Sequence, residues 1–278
     1  MTEETRRKAA LVGAFDRGAP TYDRLGVDFF GPPGTELVRR AGVRTGQRVV
    51  DVGCGRGAVL VPAARAVGVT GRVVGIDLAP TMVELTRAEV RAAGLSQVEV
   101  ELGDAESPLL PAGEFDAVLG GFVVFLLPDP AAALRGYRRL LCRGGRIGIT
   151  TFANQDPRFT EAMRRLAGHL PADRRQWPTS KQDALYATAD LTAALLWEAG
   201  YRDVDVTEAS FQSRFRDVEH WLAWVWSHGA RSLLEQIPAQ RLPVALAEVT
   251  PVVEGARSVD GDLLFTTTVR FAVAASPG

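Results

Sequence analysis

Short apolar runs alternate with stretches of helical periodicity along the first half of the chain. The runs are rich in valine, isoleucine and leucine, end at glycine or polar residues, and predict buried strands. Those strands lie near residues 48–52, 72–77, 97–102, 115–120 and 145–152. The helices predicted between them lie near residues 57–67, 80–93 and 130–142. Strands that alternate with helices form a parallel sheet covered on both faces, so the pattern predicts an α/β fold.

The second half of the chain continues this sheet but interrupts it twice. Residues 187–199 predict a helix and residues 204–215 a sixth strand. Residues 263–273 alternate and are β-branched, which predicts a seventh strand. The stretches at about 153–185 and 216–258 do not fit the strand pattern and are predicted as helical insertions. The expected fold class is a seven-stranded, mostly parallel sheet with helices on both faces and added helical insertions.

A glycine-dense turn follows the first buried strand. It joins the strand to an alanine-rich helix, and Asp51 stands two residues before its first glycine, Gly53. Glycines are needed where a backbone takes positive φ or lies against a ligand. Gly53, Gly55 and Ala58 also satisfy the glycine pattern of dinucleotide-binding folds. An acid would repel the pyrophosphate of a dinucleotide, whereas the ammonium and sulfonium of S-adenosylmethionine tolerate a carboxylate at this place.

Further candidate residues follow the ends of the next strands, at the edge where such a sheet binds ligands. Asp77 ends the second strand, where a carboxylate can accept both hydroxyls of a ribose. Leu78 offers an apolar surface to an adenine, and Met82 lies in the first turn of the following helix. The remaining residues expected at the cofactor close the third and fourth strands and are Gly103, Asp104, Ala105 and Gly120.

These motifs, in this order, resemble those of the class I S-adenosylmethionine-dependent methyltransferases, and more narrowly the ubiquinone/menaquinone-biosynthesis group. The resemblance spans about residues 11–152 and implies a Rossmann-like fold. It assigns the methionine end of the cofactor to the turn at residues 51–57, the ribose to Asp77 and the adenine to Asp104. The segment around Tyr22 also resembles that group, which implies that this tyrosine approaches the carboxylate of the cofactor.

The later part of the resemblance contains one departure. Its motifs lie at residues 115–118, 127–129 and 140–146. The group usually has a histidine pair before the leucine of the fourth motif, and this chain has Phe125 and Leu126 there. No inherited catalytic histidine is therefore expected at this position. What remains is an apolar wall over residues 122–127, which faces either the core or the substrate.

The expected domain organisation follows from the motifs and the insertions. Ligands bind at the carboxyl ends of the strands, so an insertion after the fifth strand lies on the cofactor's side and the second insertion can fold over the same edge. We expect the two to form a lid over the methyl acceptor that excludes water. The segments are N-terminal helices over the cofactor site (1–45), the cofactor-binding core (46–152), the first insertion (153–185), a core helix with strand six (186–215), the second insertion, a lid or dimer contact (216–258), and the last core strand (259–278).

Composition changes this picture little. The chain has 278 residues and a net charge of −1, so nothing favours nucleic acid as a partner. The longest apolar run, residues 117–127, is too short to span a bilayer, and the N-terminus lacks the apolar core of a signal peptide. Cys54, also expected at the cofactor, and Cys142 lie on different loops, so structural thiols are expected. A cytoplasmic enzyme is the expectation.

Candidates for the chemistry lie in the insertions. His169 and His228 are the best-placed general bases for a phenol or hydroxyl acceptor, although the default interpretation of either is an ordinary structural or surface histidine. Trp221, Trp224 and Trp226 precede His228, and core packing or a dimer contact competes there with a substrate wall. The fourth strand ends without the acidic ligands of a magnesium site, so metal-free transfer is expected.

The sequence therefore predicts an S-adenosylmethionine-dependent methyltransferase of specialised metabolism. It would move a methyl group to oxygen, nitrogen or carbon of a small, apolar or aromatic metabolite, mainly by proximity and orientation. A homodimer is left open. One alternative is a protein that keeps the cofactor but catalyses a cyclisation or isomerisation, because fold does not settle chemistry. Another is an NAD-dependent oxidoreductase, against which Asp51 and Asp104 argue.

Overall fold

The computed structural model describes residues 3–171 and 186–277. Its strands are β1 (Arg48–Val52), β2 (Arg72–Asp77), β3 (Val98–Leu102), β4 (Phe115–Gly121), β5 (Leu141–Gln155), β6 (Arg202–Phe215) and β7 (Leu263–Ala275). They form one seven-stranded sheet of order β3-β2-β1-β4-β5-β7-β6. The pairings from β3 through β5 are all parallel. The predicted α/β sheet is thus confirmed.

Helices connect these strands. They are α1 (Glu3–Gly18), α2 (Gly31–Ala41), α3 (Leu60–Val67), α4 (Pro80–Ala92), α5 (Pro130–Leu140), α6 (Pro157–Gly168), α7 (Ala189–Glu198), α8 (Val218–Ser227), α9 (Arg231–Leu234) and α10 (Leu242–Glu254). A short 3₁₀ helix covers Val124–Leu126. No helix among the described residues is long and apolar enough to cross a membrane.

The order in which strands are added reverses between β1 and β4, and the crevice in which such sheets bind ligands lies at this point. Successive strands run from β1 outward to β3, and the chain then returns to the other side of β1 as β4. Asp51 pairs in register with Gly75 on β2 and with Leu119 on β4, so it lies at the centre of the sheet. The loops after β1, β2, β3 and β4 therefore meet at one edge.

The last two strands pair in opposite directions. Ser210 on β6 contacts Thr268 on β7, with 2.9 Å between the hydroxyl oxygens, and Glu208 accepts from Arg270 at 2.7 Å. Moving back along β6 thus means moving forward along β7, which is the antiparallel relation. The five strands from β3 to β5 in the sheet order are thus parallel, and β7 and β6 form an antiparallel pair at the other end of the sheet.

The chain divides into two compact units. Among the described residues, the first comprises 3–29, 154–171 and 210–268, and the second comprises 30–153, 186–209 and 269–277. The second unit, here called the sheet unit, contains the cofactor motifs. The first unit, here called the insertion unit, gathers α1 with the helices of both insertions. The segment expected as 1–45 is therefore divided, because α1 falls in the insertion unit and α2 in the sheet unit.

Several element limits differ from those predicted. Helix α2 begins at Gly31, and Pro32 and Pro33 occupy its first turn, where a missing N–H costs nothing. Helix α3 begins at Leu60 and not at residue 57, since the glycine turn continues to that point. The second insertion is helical as predicted, with α8, α9 and α10. Within the first insertion, residues 172–185 lie outside the described part of the chain.

Candidate cofactor site

The turn after β1 is shaped by close packing of the backbone. Gly53 has φ of +67°, and a Cβ at this position would lie 2.4 Å from Cγ2 of Val123. No other residue fits both the conformation and the space. The Cys54 N–H donates to the carbonyl of Ile76 at 2.9 Å, which ties the turn to the end of β2.

Asp77 joins three segments of the site. Its Oδ2 accepts the N–H of Gly55 at 2.8 Å, and its Oδ1 accepts the N–H of Ala79 at 2.9 Å. Its carbonyl accepts the N–H of Gly103 at 2.9 Å. Burial raises the pKa of the Asp77 carboxyl, and the hydrogen bonds from Ala79, Gly55 and Leu78 oppose that rise. Each carboxylate oxygen has a second lone pair, so acceptance from ribose hydroxyls remains compatible with these bonds.

Asp51 is a buried carboxyl group beside the turn. Its side chain is 1% exposed, and neither oxygen has a hydrogen-bond partner within the described residues. Burial raises the pKa of Asp51 well above its usual range, the negative charge of Asp77 raises it further, and the nearby N–H of Leu60 opposes both. Leu60 is the first residue of α3, so the carboxyl lies by the N-terminus of that helix.

An orphaned acid next to a glycine cradle fits the cofactor that the resemblance implies. Buried polar groups are normally paired, and one that lacks a partner calls for a functional explanation. The methionine end of S-adenosylmethionine carries an ammonium and a sulfonium, and both attract a carboxylate. Asp51 and the turn from Gly53 would hold that end, and Asp77 would hold the ribose. These contacts with the cofactor stay predictions.

Cys54 contributes its backbone to this site and not its thiol. The side chain is 5% exposed, and its Sγ lies 3.0 Å from the position that a Cβ on Gly75 would occupy. Burial raises the pKa of the thiol well above its usual range, and the charges of Asp77 and Asp51 raise it further. The thiol is therefore neutral and packs beneath the turn. Cys54 and Cys142 are both free, as expected.

The loop expected to hold the adenine is anchored from below by α5. Asp104 accepts the N–H of Glu106 through Oδ1 at 3.0 Å, which fixes the local turn. The carbonyl of Ala105 accepts the hydroxyl of Tyr137 at 2.5 Å, and Tyr137 is fully buried. Tyr137 was not among the predicted site residues. It lies on the apolar face of α5. The sequence pattern there predicts a buried residue and does not show that its hydroxyl would hold the adenine loop.

Three other residues predicted to contact the cofactor differ in how far they are exposed. Leu78 is half-buried, which leaves part of its side chain for a ligand. Met82 is 1% exposed, so its side chain offers almost no surface and belongs to the core beneath the site. Gly120 packs beneath Val123, since a Cβ there would lie 3.1 Å from Cγ1 of that residue.

The apolar wall at residues 122–127 turns out to have two faces. Val124 is fully buried and Leu127 is 6% exposed, so these residues belong to the core. Phe122 and Phe125 are half-buried. Their rings contact Phe152 near the end of β5, with centroid separations of 4.8 Å and 5.6 Å. The core interpretation therefore holds for one face of the wall and leaves the aromatic face open to another role.

The predicted general bases lie in the insertion unit and make structural contacts there. Nε2 of His169 lies 2.9 Å from Oε2 of Glu248, which links α6 to α10. His228 follows α8, and its Nδ1 accepts the N–H of Ala230 at 3.3 Å. Burial lowers the pKa of His228 to about 3. A histidine with so low a pKa is a weak base, so the candidate role of His228 as a general base is not supported.

The aromatic residues of the second insertion form part of a core. Trp221 is fully buried and Trp224 is 4% exposed. Phe215 packs edge-on against Trp224 at 5.2 Å, and the His228 ring lies 4.2 Å from the same tryptophan. Trp226 is half-buried and lies under the guanidinium of Arg231. Core packing thus explains Trp221 and Trp224 within the insertion unit.

Two further expectations concern Tyr22 and the absence of a metal ion. Tyr22 lies in the insertion unit, where its ring stands 6.1 Å from that of Phe15, and its role at the cofactor stays a prediction. Residues 3–171 and 186–277 contain no cluster of three or more histidines, cysteines or acids that could hold a metal ion. Metal-free transfer likewise stays a prediction.

Comparisons with known proteins identify the family of the chain. A family model described as a methyltransferase domain matches residues 49–145. The chain is 44% identical over 183 residues to aklanonic acid methyltransferase DauC of Streptomyces sp. (strain C5), covering 63% of this chain and 82% of the relative. It is 37% identical over 256 residues to nocamycin O-methyltransferase of Saccharothrix syringae, covering 84% and 88%.

A solved structure shares the fold. It is a putative methyltransferase from Bacillus halodurans C-125, with a TM-score of 0.56 and 20% identity, and the match covers 89% of this chain and all of that one. The two sequence relatives match over most of their own length, and the glycine turn, Asp51 and Asp77 lie within the matched domain. The chain belongs to the class I S-adenosylmethionine-dependent methyltransferases.

Proposed function

We propose that this methyltransferase methylates an oxygen atom of a small, planar, polyketide-like acid in specialised metabolism. The similarity to nocamycin O-methyltransferase carries this proposal, because it extends over 88% of that protein. The name of the other relative, an aklanonic acid methyltransferase, supports an acid as the acceptor. The cyclisation alternative is less supported, since both relatives are named methyltransferases. Asp51 still argues against an NAD-dependent oxidoreductase.

The residues of the site bind and orient, and they supply little else. When bound, S-adenosylmethionine supplies an electrophilic methyl group on a sulfonium whose leaving group is a neutral thioether. Asp51 balances positive charge at the methionine end, and Asp77 fixes the ribose while it holds Gly55 in place. Alignment of the acceptor oxygen with the methyl–sulfur bond then accounts for most of the rate acceleration.

The low pKa of His228 favours an acceptor that ionises without a histidine base. The pKa of His228 is too low for it to remove a proton from a phenol near neutral pH. His169 stays a candidate base, because its contact with Glu248 uses Nε2 and leaves Nδ1 to accept a proton. A carboxylic acid or an acidic phenol ionises in water without help, and its anion is the nucleophile. This reasoning supports the acid suggested by the relative's name.

We also propose that the two insertions form a lid over the acceptor and that Tyr22 reaches the cofactor's carboxylate. Their positions in the chain support this, because one insertion follows the carboxyl end of β5 and ligands bind at that end of parallel strands. Deuterium exchange tests it: the amides of α8 and α10 should become more protected when S-adenosylhomocysteine and an acceptor are both added. Cytoplasmic location and the oligomeric state stay predictions.

The proposed activity is tested with radiolabelled S-adenosylmethionine and matched panels of aromatic carboxylic acids, phenols and aromatic amines. The proposal expects label in the acids, with one S-adenosylhomocysteine released per product. Product formed without S-adenosylhomocysteine would instead support the cyclase alternative. Calorimetric titration with S-adenosylmethionine, with NAD as the control ligand, checks the cofactor in the same preparation.

A further inference from the structure

Four phenylalanine rings form a cluster in the sheet unit. The Phe122 and Phe152 rings stack at 4.8 Å with an interplanar angle of 29°. Phe125 lies 5.6 Å from Phe152, and Phe30 meets Phe122 edge-on at 5.8 Å. We propose that this phenylalanine cluster is the subsite that binds the ring system of the acceptor. The inference rests on the proposed function, because it places an aromatic acceptor next to the cofactor.

The cluster lies beside the cofactor turn. Gly53 packs against Val123, and Phe122 is the residue immediately before Val123. Phe122 follows the end of β4, where Gly121 pairs in register with Thr150 of β5. Phe152 comes two residues after Thr150 on the same strand. The rings of Phe122 and Phe152 therefore stand at the same sheet edge as the methionine end of the cofactor.

The strand order separates this cluster from the part of the site expected to hold the adenine. Asp77 and Asp104 follow β2 and β3, on one side of β1. Phe122 and Phe125 come after β4 and Phe152 lies on β5, on the other side of β1. The methyl group is bonded to the sulfur, between the adenosine and the amino acid end, near the central strand. An acceptor that approaches from the side of β4 meets the phenylalanine rings first.

Phe122 is held in a conformation that bulky residues rarely adopt. Its φ is +54°, whereas the other non-glycine residues with positive φ in the described chain are Asp23 and Asp203. Aspartate tolerates this region, and a phenylalanine there is an outlier of the kind that persists where it serves a function. The hydroxyl oxygen of Thr150, a buried residue, accepts the N–H of Phe122 at 3.0 Å and fixes the turn.

The chemistry of the cluster selects a planar apolar group. Phe122, Phe125 and Phe152 are half-buried and carry no hydrogen-bonding group. The Phe122 and Phe152 rings lie within 29° of parallel, and a planar aromatic acceptor would pack against such rings by the same offset stacking. Phe125 adds a third ring to the cluster and carries no proton acceptor. The cluster thus provides binding and orientation and no acid–base chemistry.

Binding of 2-naphthoate and of its saturated counterpart, decahydro-2-naphthoate, tests this subsite at saturating S-adenosylhomocysteine. The two probes share a carboxylate and a carbon skeleton and differ in planarity. The wild-type protein should bind the aromatic probe about tenfold more tightly. Phe122→Leu and Phe152→Leu should each weaken naphthoate binding about fivefold and leave the saturated probe within about twofold.

Two further comparisons separate the subsite from general effects on folding. Phe115→Leu removes a fully buried ring at the opposite end of β4 and should leave the preference unchanged. Thr150→Val removes the acceptor for the Phe122 N–H and should behave like Phe122→Leu, whereas Thr150→Ser keeps the hydroxyl and should behave like the wild type. Equal affinity of the wild type for the two probes, or no naphthoate binding, would overturn the subsite.

The test also distinguishes the subsite from the proposed function. A wild type that binds S-adenosylhomocysteine and methylates acids but shows no aromatic preference loses the subsite and keeps the proposed function. A wild type with the tenfold preference and the expected losses in the Phe122 and Phe152 variants, but without methyl transfer to any acid, keeps the subsite and loses the proposed function.

Discussion

The N–H of Gly55 donates to Oδ2 of Asp77 at 2.8 Å, so the acid that ends β2 also holds the glycine turn that follows β1. Its other oxygen holds the N–H of Ala79 at the start of α4. The Asp77 side chain therefore connects the glycine turn after β1 to the start of α4. It holds the glycine turn in shape, and in the proposed site it would also present a carboxylate to the ribose.

Asp77→Ala should therefore weaken S-adenosylmethionine binding by more than the loss of a single contact. Hydrogen bonds to a charged group contribute about 1.5–3 kcal/mol each, so we expect at least a tenfold higher Kd by calorimetry. Asp205→Ala is the matched control, because Asp205 is an exposed acid on β6. Unchanged affinity in the Asp77 variant would reject the ribose assignment.

Much of this arrangement could be predicted from the sequence, because buried parallel strands produce continuous apolar runs. The strands at 48–52 and 72–77 are confirmed at both ends. The placement of β7 between β5 and β6 was not predicted, since strand order depends on contacts between distant segments. The positive φ of Phe122 was likewise invisible, because nothing in an apolar wall distinguishes a residue in this conformation.

Asp51→Asn should stabilise the ligand-free protein increasingly as the pH rises. The folded-state pKa of Asp51 is raised, so the folded state holds a proton that the unfolded state has lost between the two pKa values. Stability is then lost as the pH rises from about 4, and asparagine removes that loss. Between the unfolded-state and folded-state pKa values, each pH unit changes the difference in unfolding free energy between variant and wild type by about 1.4 kcal/mol. Urea unfolding of both proteins at several pH values measures this difference. A pH-independent difference would contradict the raised pKa.

The same carboxyl should couple S-adenosylmethionine binding to proton release. A cation beside Asp51 lowers its pKa, so affinity should rise with pH until the ligand-free carboxyl is ionised. Asp77 also has a raised pKa, whereas the neutral Cys54 thiol does not titrate in this range. Calorimetry in two buffers of different ionisation enthalpy counts the protons released. Asp51→Asn should release fewer and bind more weakly, and equal release would assign the proton to Asp77.

His228→Phe should be less stable than the wild type at neutral pH and more stable than the wild type in acid. The imidazole packs on Trp224 and accepts from Ala230, so its loss costs about 1 kcal/mol at pH 7. The folded pKa lies near 3 and the unfolded value near 6.5, so native stability is full above about pH 6.5 and falls below it. The free energy of unfolding of the variant, relative to that of the wild type, should therefore rise by about 2 kcal/mol between pH 6.5 and pH 5. A pH-independent difference would show that His228 is accessible to protons.

The last comparison uses two buried tyrosines that make the same kind of hydrogen bond. The Tyr137 hydroxyl donates to the carbonyl of Ala105 at 2.5 Å, next to Asp104, whereas the Tyr201 hydroxyl donates to the carbonyl of Leu134 at 2.9 Å within the core. Both residues are fully buried, so Tyr137→Phe and Tyr201→Phe should each lower the free energy of unfolding by about 1–3 kcal/mol.

Only Tyr137→Phe should also raise the Kd for S-adenosylmethionine, by about threefold or more, because it releases the loop that carries Asp104. Its kcat at saturating cofactor should stay close to that of the wild type, since the reacting atoms are untouched. The measurements are calorimetric titration and urea unfolding of both variants. Equal cofactor affinity in the two would mean that Tyr137 supports the core alone and that the adenine loop is positioned by its own turn at Asp104 and Glu106.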